Sequence, residues 1–467
     1  MAIGGTFLSY NKVLPGAYIN FISQARATNS LSDRGVVAMP FSNNWSPESQ
    51  IITVTSQDFL TNSLSIFGYD YSDDKLLYIR EVFKNASILK FYRLGGGSKG
   101  YIAIGDLLVT AKYSGTRGND IKIKISQSID TANFTIYTYL GTTLVDEVEV
   151  TSIYELVDDI QSNDYVEFSI VTNLQSVSIQ ENEYESQTDQ NTEEDLYESI
   201  STLSSYTLSL TAGVNLQGAT DYSTTNAQYS SFLSNLECES FNTLIYAGED
   251  NIIKSLFDLF TKRLRDEEGS KFVTVLYDYT TANFEGVISV KNYSKLAYWV
   301  AGASAGAEVN ESITNKIYDG ELSFNAKFSN SELKEAIQDG QLVLFEDDGD
   351  FKVLKDINTF TEFSDDKNSD FSNNQVIRVI DSIANDVAKL FNTYYLGKVQ
   401  NDNLGRDIFK SELINYFRTL QAIRAIDNFD PDDISIQKGS EKGDVVVELQ
   451  IEPVASMDKL YMKCIII

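Results

Sequence analysis

The stretch FNTLIYAGEDNIIKSLFDLFTKRLRDEEGSKFVTVLYDY, residues 241–279, contains two apolar runs separated by an amphipathic segment. The runs 241–248 and 271–279 predict β-strands, because each is short and rich in aromatic and β-branched residues. Between them, apolar residues recur at helical spacing, which predicts a crossover helix that ends at Gly269. Strand, helix and strand in this order predict a parallel pair within an α/β domain.

The flanking sequence predicts further domains on either side of this α/β unit. Residues 31–97 mix short strands with an amphipathic helix over 73–86, and GGGSKG (95–100) is typical of a hinge or linker. Alternating runs separated by turn signals follow and predict a β-sandwich, after which residues 181–195 are acidic and nearly free of aliphatic side chains.

Two long amphipathic helices are predicted in the last quarter of the chain. The first begins after the capping candidates Ser372 and Asn373 and ends at Gly397. The second carries apolar residues at helical spacing from Phe409 onward and ends before Pro431. The fold class predicted from these patterns is therefore α+β and multidomain.

The predicted segments have the following bounds. They are an N-terminal arm (1–30), a small α/β N-terminal domain (31–97), a β-sandwich domain (98–182), an acidic linker (183–202), an α/β core domain (203–352), the helical part of a C-terminal domain (353–442) and a C-terminal strand arm (443–467).

Alternating apolar residues mark both ends of the chain, as is typical of half-buried strands. The final run, VVVELQIEPVASMDKLYMKCIII (445–467), predicts two strands separated by Pro453. Near the other end, VLPGAYINF (13–21) predicts a turn and a short strand. The apolar positions of these strands that are candidates for strand contacts are Tyr18, Ile19, Phe21, Val445, Val447, Leu449, Ile451, Leu460, Met462 and Cys464.

The composition excludes several classes of function. The chain has 67 acidic and 37 basic residues and a formal net charge of −30, which disfavours nucleic acid and anionic membranes as partners. It has no histidine, so a Ser-His-Asp triad, a Cys-His dyad or a histidine-ligated metal cannot be built from this chain. We expect no signal peptide, transmembrane helix or disulfide framework.

Three short motifs resemble functional sites only superficially. GASAG (302–306) matches the G-x-S-x-G pattern of a serine hydrolase with Ser304 as nucleophile, but such small-residue runs also mark tight helix packing. GGGSKG lacks the Gly-Lys-Ser/Thr ending of a phosphate-binding loop. EDDGD (346–350) lacks the spacing of a helix-loop-helix calcium site. We therefore expect no catalytic residue, no cofactor and no metal.

Phrases spread along most of the chain together resemble the sheath proteins of contractile bacteriophage tails, in the form found in phages and defective prophages of Gram-positive bacteria. The phrases that carry the resemblance are residues 11–21, 110–123, 265–292, 297–320, 356–359, 376–402 and the terminal run from Val445 to Cys464.

The resemblance implies a structural subunit and no enzymatic activity. Such subunits polymerise as stacked rings of six around a tail tube in a metastable extended state, and contract to drive the tube through the target cell envelope. The C-terminal domain is expected to face the tube, and the terminal arms to add strands to neighbouring subunits through the apolar positions given above.

The partners that the resemblance implies are further copies of the chain in the same and adjacent rings, the tail tube protein, and the baseplate and tail terminator proteins. Neither nucleic acid nor direct membrane insertion is expected. The subunit would be assembled in the host bacterial cytoplasm and would reside in the virion tail. A sheath of a phage-tail-like bacteriocin is an open alternative, and a serine hydrolase using Ser304 is a remote one.

Overall fold

The computed structural model describes residues 4–5, 17–18, 31–171 and 206–466. The predicted acidic linker (183–202) and most of the predicted N-terminal arm (1–30) lie outside these residues. The chain forms two compact units. The larger unit comprises the described parts of Arg34–Glu308 with Ile313–Asn374, and the C-terminal unit comprises those of Met1–Asp33 and Gln375–Ile467 with Val309–Ser312.

The helices and strands of the described residues have the following bounds. The strands are β1 (Gly4–Gly5), β2 (Ala17–Tyr18), β3 (Val36–Ser42), β4 (Ile51–Thr55), β5 (Ile88–Leu94), β6 (Gly97–Ser98), β7 (Tyr101–Ile104), β8 (Leu107–Ala111), β9 (Ile121–Gln127), β10 (Phe134–Leu140), β11 (Thr143–Val150), β12 (Val166–Ile170), β13 (Thr211–Asn215), β14 (Thr220–Asp221), β15 (Thr243–Tyr246), β16 (Val273–Tyr277), β17 (Val287–Val290), β18 (Gln341–Leu342), β19 (Leu344–Asp347), β20 (Asp350–Val353), β21 (Ile426–Asp427), β22 (Ile434–Lys438), β23 (Val445–Leu449) and β24 (Glu452–Pro453). The α-helices are α1 (Ser56–Phe67), α2 (Leu77–Phe83), α3 (Asn226–Leu236), α4 (Asn251–Asp266), α5 (Leu296–Gly306), α6 (Asn330–Gln338), α7 (Asn374–Leu390) and α8 (Asn403–Ala422).

A seven-stranded sheet in the order β18-β17-β16-β15-β3-β5-β4 forms the centre of the larger unit. The predicted parallel pair is confirmed, because β15 and β16 run in parallel with Thr243 opposite Val273. The edge strand β4 runs antiparallel to β5. Residues 31–97 are not a separate fold, since β3 pairs with β15 through Val37 and Thr243 and both belong to this one sheet. Local periodicity could not indicate this pairing, because it joins distant parts of the chain.

Helices cover both faces of the sheet, as strands that are apolar on both faces require. On one face, Met39 of β3 and Ile245 of β15 contribute to a core that includes α2 and α5. On the other face, Leu244 contributes to a core that includes Phe232 of α3 and Phe257 of α4. The α/β core domain is therefore a three-layer arrangement.

Helix α5 carries the GASAG motif and is buried along most of its length. A Cβ atom on Gly302 would lie 2.4 Å from the carbonyl oxygen of Val82, and one on Gly306 would lie 2.0 Å from that of Asn85. These glycines let α5 approach α2 and the turn that follows it closely. Ser304 lies inside the helix with 2% of its surface exposed, so it is not at a strand-to-helix elbow and the hydrolase interpretation is wrong.

The predicted β-sandwich is confirmed and consists of two antiparallel sheets, β11-β10-β9-β13 and β12-β8-β7. The inward residues of β9, which include Ile121, Ile123 and Ile125, are buried in its core. Strand β13 comes from sequence beyond the acidic segment and pairs with β9. The sandwich therefore includes residues beyond the predicted boundary at 182.

The segment GGGSKG (95–100) is not the flexible hinge or linker that its composition predicts. Within it, β6 pairs antiparallel with β14, so the two chain connections between the sheet and the sandwich are hydrogen-bonded to each other. A Cβ atom on Gly97 would lie 1.8 Å from the carbonyl oxygen of Thr220, so glycine is needed there for close approach. Composition indicated flexibility, but the paired connections hold this segment in place.

Trp45 packs between the sandwich and the α/β layer and stabilises their contact. Its indole is fully buried, donates a hydrogen bond to the carbonyl of Ser65 (2.9 Å), and packs edge-on against Tyr113 of the sandwich, with ring centroids 5.1 Å apart. The buried Arg93 guanidinium supports the same loop by donating to the carbonyl of Ser46 at 2.6 Å. The sandwich is thus a packed insertion within the larger unit.

The two long helices predicted near the C-terminal end are confirmed as α7 and α8. Their apolar faces meet in a core that includes Val379, Ile383, Phe409 and Phe417. Gly397, predicted as the end of the first helix, has a φ of 70° in the left-handed region that favours glycine. Short strands follow, with β21 paired to β24 and β22 paired to β23.

Candidate subunit-assembly surfaces

The hairpin of β22 and β23 contains the first of the two predicted terminal strands. Its register places Val445 opposite Lys438, Val447 opposite Ile436, and Leu449 opposite Ile434. The connecting turn is closed by a hydrogen bond from the amide of Gly439 to the carbonyl of Asp444 at 2.9 Å. In the single chain, therefore, residues 445–449 pair with a strand of their own subunit.

The residues of β23 differ in exposure, and the difference does not follow the two faces of the strand. Val445 and Leu449 are half-buried against the core of the C-terminal unit, and so is Ile451 just beyond the strand. Val446 is 46% exposed and Val447 is 38% exposed. The sheet has only the strands β22 and β23 among the described residues, so one edge of β23 presents unpaired backbone groups. Such an edge can accept a strand from another chain.

The second predicted terminal strand is not formed in the single chain, which corrects the expectation of a strand around residues 460–466. Hydrogen bonds hold the C-terminal segment in place as far as Ser456. The amide and the hydroxyl of Ser456 both donate to the Gln375 side-chain oxygen at 2.9 Å. Beyond it, Leu460 is 88% exposed and Met462 is 77% exposed. Cys464 is exposed as well. The alternating pattern is present, but among the residues that the structure describes no strand pairs with it.

The predicted positions near the N-terminus are only partly described. Tyr18 lies in β2, which pairs in parallel with β1. Ile19 and Phe21 lie outside the described residues. The prediction that these side chains contact a neighbouring subunit therefore stays a prediction, as it does for the C-terminal positions.

Asp386 anchors Ser32, which follows the predicted N-terminal arm (1–30), to the C-terminal unit. This carboxylate, on α7, accepts hydrogen bonds from the hydroxyls of Ser32 and, at 2.8 Å, Tyr416 of α8. Leu31 packs beside it against the core of the C-terminal unit. Burial and the neighbouring Asp386 carboxylate raise the pKa of Tyr416, so that phenol remains a donor. Ser32 is thus hydrogen-bonded to α7 and linked through Asp386 to α8.

The sequence contains a signal for the buried carboxylate of Asp386, but the apolar spacing of the helix alone did not reveal it. Asp386 continues the buried series of Val379, Ile383 and Leu390 along α7. A carboxylate at a core-facing helical position is rarely buried without a partner. This position therefore predicts hydroxyl or cationic partners, which the structure identifies as Ser32 and the buried Tyr416.

We expect Asp386→Asn to lower the free energy of unfolding by about 2 kcal/mol, because the buried hydroxyl of Tyr416 and the hydroxyl of Ser32 lose a charged acceptor. Urea denaturation followed by circular dichroism measures the change. Asp407→Asn, on the exposed surface of α8, is the matched control and should stay within about 0.5 kcal/mol of the parent protein. Equal effects of the two substitutions would contradict the anchoring role.

The described residues offer no obvious site for a metal ion. They contain no group of three or more cysteine, aspartate and glutamate side chains placed to hold one. In the acidic turn at 346–350, Asp347 is instead paired with Lys352, with Nζ and Oδ2 2.8 Å apart. None of the helices in the described ranges has the length and hydropathy needed to cross a membrane.

Comparisons with known proteins point to one family along nearly the whole chain. Family models match as the phage tail sheath protein β-sandwich domain (95–181), the phage tail sheath protein central domain (223–359), the phage tail sheath C-terminal domain (366–467) and the tail sheath protein Gp18 domain III N-terminal region (34–94). Each model matches a separate segment, in the order of the chain.

Individual relatives agree with the family models. The phage-like element PBSX protein XkdK of Bacillus subtilis is 31% identical, covering 98% of both chains. The crystal structure of a sheath tail protein from Desulfitobacterium hafniense is 35% identical with a TM-score of 0.76, covering 96% of this chain and 99% of that one. A sheath tail protein from Listeria innocua is 29% identical, also with a TM-score of 0.76, covering 93% and 95%.

Proposed function

The chain belongs to the family of contractile phage tail sheath proteins, and on that premise we propose that it polymerises as stacked hexameric rings around a tail tube. The rings are assembled in a metastable extended state and contract to drive the tube through the target cell envelope. The observation that supports the proposal is that the apolar segment after Ser456 is exposed in a chain whose β22–β23 hairpin has an unpaired edge.

The energetics of the terminal segment favour pairing between subunits over order in the free chain. Burying four apolar side chains yields roughly 6–12 kcal/mol, at about 1.5–3 kcal/mol each. Ordering eight backbone residues costs about 8–16 kcal/mol. The free energy of ordering the arm alone is therefore close to zero or unfavourable. A neighbour's sheet must add hydrogen bonds and a second apolar surface for the arm to become ordered. Each subunit makes several such strand pairings with its neighbours, and because the pairings are linked through one subunit, they bind together more tightly than any one of them alone.

Each part of the chain has a place in this proposal. The C-terminal unit faces the tube and exchanges strands through both arms, using the apolar positions predicted from the sequence. The sandwich faces outward, and the α/β layer carries contacts that slide during contraction. The tube, baseplate and terminator proteins are the remaining partners. The same subunit would serve an infectious phage or a phage-tail-like particle, because these differ in whether a capsid is attached.

Negative-stain electron microscopy of the purified protein tests polymerisation directly. We expect hollow sleeves with six-fold end views, formed without nucleotide, because the chain has no phosphate-binding loop. A preparation that remains monodisperse at high concentration, with and without purified tail tubes, would contradict the proposal.

A further inference from the structure

A cleft of about 520 Å³ opens at the carboxyl ends of β3 and β15. From these two neighbouring strands the chain continues in opposite directions across the sheet, from β3 towards β5 on one side and from β15 to β16 on the other. The order in which strands are added to the sheet therefore reverses between β3 and β15. In open α/β sheets, ligands bind at such reversal points. The volume lies within the range of small-molecule sites.

Aromatic side chains form the walls of this cleft. Tyr78 and Tyr298 stack with ring centroids 5.0 Å apart and an interplanar angle of 13°. The ring of Tyr246 lies over Gly248, where a Cβ atom would be 2.2 Å from the tyrosine hydroxyl. Burial raises the pKa of Tyr246 to about 12, so its phenol stays neutral. The walls thus offer flat apolar surface with hydroxyl donors.

Two ammonium groups also line the cleft. Nζ of Lys295 lies 5.5 Å from the ring centroid of Tyr78 and donates only a long hydrogen bond, 3.3 Å, to the carbonyl of Ala247. Nζ of Lys75 donates to the hydroxyl of Tyr69 at 2.6 Å. Within the described part of the chain, neither lysine has a carboxylate oxygen within 4.0 Å. Since acidic residues outnumber basic ones by 67 to 37, two lysines without an ion pair beside one cleft indicate room for an external anion.

Acidic groups near the cleft do not occupy these lysines. Asp221 lines the cleft but accepts hydrogen bonds from the amide and hydroxyl of Thr116, at 2.7 and 2.6 Å. Glu249 lies close enough to raise the pKa of Lys295, whereas burial of that ammonium, which is the larger effect, lowers it. The positive charge of Lys295 is therefore incompletely compensated.

We propose that this cleft binds a small aromatic carboxylate, with the carboxylate at Lys75 and Lys295 and the ring against Tyr78 and Tyr246. The walls also include both chain connections to the sandwich, 94–96 and 221–224. A bound molecule would therefore bridge the α/β layer and the base of the inserted sandwich.

Benzoate and benzamide test the proposal because they share size and shape and differ in charge. Saturation-transfer NMR on the full chain should show benzoate binding and at least about tenfold weaker binding of benzamide, the loss expected for one charge-assisted hydrogen bond. Lys295→Gln and Lys75→Gln should each weaken benzoate binding several-fold, and the double variant should abolish it. Lys334→Gln, exposed on α6, removes the same charge elsewhere and should leave binding unchanged.

A variant that fills the cleft provides a test independent of charge. Ser42 is exposed and lines the cleft, so Ser42→Trp should block benzoate while the protein keeps its folded spectrum. Absence of benzoate binding at millimolar concentration, equal binding of benzamide, or binding unaffected by the two cleft lysines would each overturn the proposal. Sleeve formation is measured separately, so failure here leaves the proposed function untouched.

Discussion

Removal of residues 457–467 is expected to give a folded subunit that no longer forms sleeves. In the single chain, the apolar side chains of this segment point into solvent, with Leu460 88% and Ile466 97% exposed. Their loss therefore costs the free subunit little stability but removes the surface that would order on a neighbour's sheet. Sedimentation velocity and electron microscopy of the truncated and full chains measure the difference.

The position of the cut decides whether this experiment is informative. A cut after Glu452 would also break β24 and remove the hydrogen bond from Val454 to Ala425 at 3.0 Å. A cut after Ser456 keeps these contacts, so the urea midpoint should match that of the full chain. Replacing Leu460 and Met462 by serine keeps the length and should also prevent assembly, whereas Lys459→Gln should not. Sleeves formed by the truncated chain would refute the role of the arm.

Elements with strong local periodicity could be predicted from the sequence. The strand-helix-strand unit around α4, the sandwich strands β7 to β12 and the two long helices were all predicted, because apolar spacing reports which face is buried. Helix α1 was missed because its core face carries only Phe59, Ser63 and Phe67. Its capping box, with Thr55 and Asp58 hydrogen-bonded to each other's backbone amides, was the available signal.

Features that depend on distant pairing could not be predicted. The sharing of one sheet by β3 and β15, and the addition of β13 to the sandwich, depend on strands brought together by the rest of the fold. Arg93 gives no sequence signal of its burial, because its hydrogen bonds are donated to the backbone carbonyls of Asn43 and Ser46. Partnering of the terminal arms is a property of more than one chain, so neither the sequence pattern nor a single subunit can establish it.

Gly306→Ala is expected to lower the free energy of unfolding by about 3 kcal/mol, at the upper end for overpacked cores. The new methyl group would lie 2.0 Å from the Asn85 carbonyl oxygen, a backbone atom that cannot rotate away. Relief requires that α5 move away from α2, which opens the core around Trp299 and Ile79. Urea denaturation monitored by tryptophan fluorescence measures the loss, since Trp45 and Trp299 both lie in the larger unit.

Two controls separate the effect of close packing from a general effect of the added methyl group. Gly443→Ala adds the same group where nothing lies within 4 Å and should be neutral or slightly stabilising; because Gly443 lies in the C-terminal unit, its unfolding is followed by circular dichroism. Ser331→Ala changes an exposed position on α6 within the same unit and should stay within about 0.5 kcal/mol. Gly302→Ala should resemble Gly306→Ala, because its methyl group would lie 2.4 Å from the Val82 carbonyl oxygen. If both glycine variants were as stable as the parent, GASAG would need an explanation other than helix packing.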